Sequence, residues 1–89
     1  MKSISLQVTY RKGRPSAAYI WLDHGPGTKS VRSVEWASEL VVDFAEDGRP
    51  IGVEVVDPES VTTAQIFAVF DALGLARPDA ADLAPLAAA

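Results

Sequence analysis

Apolar and polar residues alternate with period two along most of residues 4–56. Ile4, Leu6, Val8 and Tyr10 alternate with Ser5, Gln7 and Thr9, the pattern of a half-buried strand. Arg11-Lys12-Gly13-Arg14-Pro15-Ser16 breaks that pattern with turn formers. Residues 17–22 form a second strand that is apolar on both sides. Ala18, Ile20 and Leu22 point one way, and Ala17, Tyr19 and Trp21 the other. Asp23-His24-Gly25-Pro26-Gly27 reads as a turn, and residues 29–36 as a weaker third strand. Its faces are Ser30, Arg32, Val34 and Trp36, against Val31, Ser33 and Glu35.

The next pair of strands is the best defined. Leu40, Val42 and Phe44 alternate, Glu46-Asp47-Gly48-Arg49 follows, and Ile51, Val53 and Val55 alternate again. Asp-Gly between alternating apolar runs is a strong hairpin signal. A two-residue Asp47-Gly48 loop sets Phe44 against Ile51, Val42 against Val53 and Leu40 against Val55, with all six on one face. A three-residue loop would set Val42 against Gly52 and misalign the faces, so the even loop is expected. Pro50 cannot donate to a ladder and belongs at the strand start or at an edge.

After Asp57-Pro58 the period changes to that of a helix. Thr62 or Thr63 can cap its start, Ile66, Phe67, Phe70 and Leu73 repeat at helical spacing, and Gly74 fits the position just past its end. Strands are thus expected over about 4–10, 17–22, 29–36, 40–45 and 51–56, with a helix over about 63–73. The fold class is α+β: a four- to five-stranded antiparallel meander with one C-terminal helix packed on one face. Residues 1–75 make this single domain. Residues 76–89 are an Ala/Pro-rich tail, frayed or folded as a short second helix, and there are no internal repeats.

Composition narrows the class further. Eighty-nine residues allow one domain, and a chain this short has a small core unless a partner adds area. There is no cysteine, hence no disulfide and no thiolate metal site. The N-terminus runs straight into the alternation without a leader pattern, and no apolar run reaches membrane-spanning length. A small soluble cytoplasmic domain is expected. Charge is informative by position. Residues 1–32 carry Lys2, Arg11, Lys12, Arg14, Lys29 and Arg32 against Asp23, a balance of +5. Residues 33–89 carry Arg49 and Arg77 against eleven acids, a balance of −9. A net acidic chain is a poor general binder of nucleic acid. The two poles are expected to satisfy each other within the fold or across a homo-oligomer.

Candidate chemistry is sparse. His24 is the only histidine and reads as an exposed loop residue, because no nucleophile or set of metal ligands accompanies it. Gly25-Pro26-Gly27 is no phosphate cradle, since proline lacks the N–H such a loop needs. Asp43 and Glu54 fall diagonally on one hairpin face, at a spacing that suits an acid–base pair or a divalent ion. The plainer reading is two solvated acids. Tyr19, Trp21, Val41 and Val56, with Trp36 as a further candidate, lie away from the stripe a helix would cover. An exposed apolar patch with aromatic anchors is the usual mark of an interface.

Tyr19-Ile20, followed by Asp43-Phe44-Ala45-Glu46-Asp47-Gly48-Arg49-Pro50-Ile51-Gly52-Val53-Glu54-Val55-Val56, resembles the small bacterial family catalogued as domain of unknown function 2283. Members of that family read as a tyrosine-ended strand, an acidic turn, an Ala-Leu-Tyr-Ile strand, a short third strand and an Asp-aromatic-Asp-x-Asp-Gly hairpin ending in Gly-Ile-Glu-Ile. Tyr10 matches the end of the first strand, and the resemblance covers roughly residues 4–57. It implies a small antiparallel meander and no established activity. Genes of this family often stand beside small toxin-like genes, which implies an antitoxin or partner-binding role. The chain departs from the pattern at the basic stretch Arg11 to Ser16, at Ala45, and in its helix from about residue 63. The resulting expectation is a non-enzymatic interaction module that forms a homodimer, with a protein partner possible in an antitoxin-like or regulatory role. No cofactor, metal, membrane or nucleic acid is expected. The alternative is small-ligand or metal-dependent activity at Asp43 and Glu54.

Overall fold

The computed structural model describes residues 5–22 and 28–87. His24 and the rest of the 23–27 turn lie outside the described residues, as does the end of the tail. Five strands form one antiparallel sheet: β1 (Ser5–Arg11), β2 (Arg14–Trp21), β3 (Arg32–Ala37), β4 (Leu40–Phe44) and β5 (Pro50–Val55). Their order across the sheet is β1-β2-β5-β4-β3. The sheet is therefore not the plain meander expected. The chain leaves β2, starts again at the far edge with β3, and returns through β4 so that β5 closes against β2. Burial explains the order. β2, β4 and β5 carry the fully buried side chains, whereas Val34 is the only residue of β3 that is even half-buried. The polar strands fall at the edges, where one flank meets water.

The registers put one apolar row across the whole sheet. Leu6 pairs with Ile20, Ile20 with Val53, Val53 with Val42, and Val42 with Val34. A second row joins Val8, Ala18, Val55 and Leu40. After β5 the chain makes a 3-10 turn at Pro58–Ser60, helix α1 (Thr63–Ala72), a second 3-10 turn at Ala80–Leu83 and a short helix α2 (Ala84–Ala87). Ile66, Val69, Phe70 and Leu83 are buried in the same cluster as the two rows. Instead of one helix, several short helical pieces follow the sheet, and the core extends past residue 75 to Leu83. No helix among the described residues is long and apolar enough to cross a membrane.

Local signals set the ends of α1. The Thr62 side chain accepts from the Gln65 N–H, and the Gln65 side chain accepts from the Thr62 N–H, a reciprocal capping box. At the other end Gly74 has φ +73°, Leu75 N–H donates to the Phe70 carbonyl and Gly74 N–H to that of Asp71. That pair of bonds satisfies carbonyls that the helix itself leaves open.

The turns correct the expected β4–β5 register. The loop has three residues, not two. Ala45 N–H donates to the Arg49 carbonyl, Gly48 N–H donates to the Ala45 carbonyl, and Gly48 sits at φ +89°. The faces still align because a bulge adds one residue. Asp43 pairs with Gly52, but Phe44 pairs with Pro50, which leaves Ile51 over. An odd loop and a one-residue bulge cancel, so Val42 keeps Val53 and Leu40 keeps Val55. The bulge adjoins Pro50, which has no N–H to offer a regular ladder. Its cost is Ile51, which is buried but stands outside the core cluster. The expected six-residue stripe therefore has five members.

Candidate functional site

The face of the sheet opposite the core is built from the other residue of each alternating pair. Across it run the rows Gln7–Tyr19–Glu54–Val41–Glu35 and Ser5–Trp21–Gly52–Asp43–Ser33. Tyr19 and Trp21 stand on β2, two residues apart, and so share this face. Their rings meet edge to face with centroids 4.6 Å apart. The Trp21 indole N–H donates to Gln7 Oε1 at 3.4 Å.

Tyr19 does not stand upright on its strand. Its side chain lies across β5 and donates its hydroxyl to Asp43 Oδ2 on β4 at 2.7 Å. Ser33 on edge strand β3 donates to the other oxygen, Oδ1, at 2.5 Å. Asp43 thus gathers hydroxyls from two strands that are not neighbours. The crossing is possible because the residue beneath it is Gly52. A Cβ there would overlap the Tyr19 hydroxyl, Cζ and Cε2. A glycine inside a strand often marks such a close approach.

The electrostatics follow from this geometry. Partial burial is the largest influence on the Tyr19 phenol, followed by its bond to Asp43 and the charges of Asp43 and Glu54. All four push its pKa well above the ordinary 10.0, so at neutral pH Tyr19 is a fixed donor. Glu54 is exposed beside it.

An open groove of about 550 Å³ runs along this face. Tyr19, Trp21, Asp43 and Glu54 line it, together with Gln7, Thr9, Lys29 and the displaced Ile51. The aromatic and the acidic candidates of the sequence thus belong to one place. Val41 shares the face but does not line the groove, and neither does Val56, which is 44% exposed just beyond β5. Trp36 is the extra residue of a bulge in β3 and leans on Phe44, ring centroids 6.2 Å apart. Ser33 and Gly52 were not singled out from sequence. The glycine inside an otherwise apolar strand was the available signal. Among the described residues no group of three or more His, Cys, Asp or Glu could hold a metal ion. The groove offers aromatic surface, a hydroxyl-anchored carboxylate and a second carboxylate.

Fold and face together define a small five-stranded antiparallel sheet protein with one aliphatic face and one aromatic–acidic face. Residues 17–57, from β2 through β5, match the family model described as Protein of unknown function (DUF2283), the family that the Asp-Gly hairpin and Gly-x-Glu strand resemble. The match spans Tyr19, Ser33, Asp43, Gly52 and Glu54, while β1 and the helical segments lie outside it. No curated protein and no solved structure matches the chain.

Proposed function

We propose that this protein is a non-enzymatic interaction module that forms a homodimer through the outer face of its sheet. The observation that carries this reading is the Tyr19–Trp21 pair, held edge to face in an open groove on the face away from the core. Trp21 remains 42% exposed there. Aromatic residues in such a setting are the usual anchors of protein interfaces. A chain of 89 residues also gains stability from shared burial. An antitoxin-like or regulatory role adds a second protein bound to that homodimer. Its support is the family match alone, and that family carries no stated function.

Sedimentation and light scattering over a concentration series test the reading, using the intact chain and its Trp21→Glu variant. The expected result is a concentration-dependent dimer for the parent and a folded monomer for the variant. A parent that stays monomeric throughout, or a variant that dimerises equally well, overturns it.

A further inference from the structure

Among the described residues, few ion pairs join the two charge poles of the chain within the monomer. Among the described residues there are three ion pairs. Asp47–Arg49 and Asp71–Arg77 are local pairs inside the acidic half. Only Arg14–Glu59, at a loose 3.7 Å, joins the basic pole to the acidic one. Arg11 and Lys12 enter no ion pair among the described residues. Arg11 is the last residue of β1 and Lys12 the first of the β1–β2 turn, where Lys12 and Gly13 take φ +53° and +80°. Two successive positive φ values make the tight two-residue turn that matches strand twist, so these cations are held out on a stiff tip.

The outer-face groove has the complementary chemistry. Asp43 and Glu54 outnumber Lys29 in its lining, and Tyr19 and Trp21 add aromatic surface. Carboxylates beside aromatic rings suit a guanidinium or ammonium group, which pairs with the one and stacks on the other. The Asp43 carboxylate is already oriented by Tyr19 and Ser33, so little ordering is left to do when a cation arrives.

We infer that the groove is a cation-recognition site whose occupant is the Arg11–Lys12 turn of a second copy of this chain. The inference rests on the proposed association through this face and names what enters it. The argument for a second copy is charge complementarity. The same chain carries an exposed cationic tip and an anionic aromatic groove. A two-fold dimer uses each of them twice.

Charge reversal with rescue is the test, read as dimer dissociation by sedimentation at low and high salt. Glu54→Lys alone, and Arg11→Glu with Lys12→Glu, are each expected to weaken the dimer by about tenfold. Combining all three changes is expected to recover most of that loss, and added salt is expected to weaken the parent dimer. If the combined variant is no tighter than either reversal by itself, or if the reversals change nothing, the inference falls. Trp21→Glu separates the two levels of failure. A dimer lost with Trp21→Glu but indifferent to charge reversal leaves the face as the interface and removes the cationic tip from it. A dimer indifferent to both removes the interface as well. A monomeric parent whose Trp21 indole resonance moves on addition of N-acetyl-arginine amide, but not in Glu54→Lys, overturns the second copy as occupant in favour of a free cation.

Discussion

Gly52→Ala perturbs the outer face at its narrowest point. The added methyl group occupies space that the Tyr19 ring fills, so the ring has to leave β5 and release Asp43. A hydrogen bond to a charged group contributes ~1.5–3 kcal/mol net, and this partly exposed site favours the lower end. The edge-to-face contact with Trp21 contributes about 0.5–1 kcal/mol more when Tyr19 moves away. Alanine is the better strand residue and returns roughly 0.5–1 kcal/mol. The expected net loss is therefore about 1–2 kcal/mol, or a fall in Tm of ~5–15 °C for a domain of this size. The assay is urea and thermal unfolding of four proteins: the parent, Gly52→Ala, Tyr19→Ala and the double variant. In the Tyr19→Ala background there is no ring to displace. There Gly52→Ala should be neutral or stabilising, by up to about 1 kcal/mol. If Gly52→Ala costs the same in both backgrounds, its effect lies in the strand backbone, and the account of Tyr19 crossing β5 is refuted.

Three further outcomes are expected. The raised pKa of Tyr19 makes stability complete below about pH 10 and lets it decline above that, because the unfolded chain releases the proton while the folded chain retains it. Urea unfolding across an alkaline pH series should show a steeper decline for the parent than for Tyr19→Phe, and parallel profiles would count against the Tyr19–Asp43 contact. Thr62→Ala removes one half of the capping box at the start of α1 and should cost about 1 kcal/mol, seen as a lower urea midpoint with unchanged slope. Phe70→Ala empties a site that is 1% exposed in the shared core and should cost about 3–5 kcal/mol, leaving a substantially unfolded population by circular dichroism; a native-like melting curve would show that α1 does not close the core.

Much of this molecule was legible in the sequence because the signals involved are local. Period-two alternation sorts side chains onto two faces within each strand, and the hairpin parity sets Leu40, Val42, Val53 and Val55 on one face, the one that lies in the core. Thr62, Gln65 and Gly74 set the ends of α1 through bonds that span only a few residues. Asp47-Gly48 marked the hairpin, because few residues adopt the positive φ that Gly48 takes. The rest depended on contacts between distant segments. The position of β5 between β2 and β4 follows from which strands bury most, a comparison no single strand contains. The bulge that offsets the three-residue loop reflects the need to keep two apolar rows aligned across five strands. It also moved Ile51 from the core to the groove. By sequence, Tyr19 and Trp21 belong to one candidate site and Asp43 and Glu54 to another. They became one site because Tyr19, lying over the bare backbone of Gly52, spans a strand that comes more than 30 residues later in the chain. Local periodicity determined which face each side chain shares, and the packing of five strands into one sheet decided which of those side chains meet.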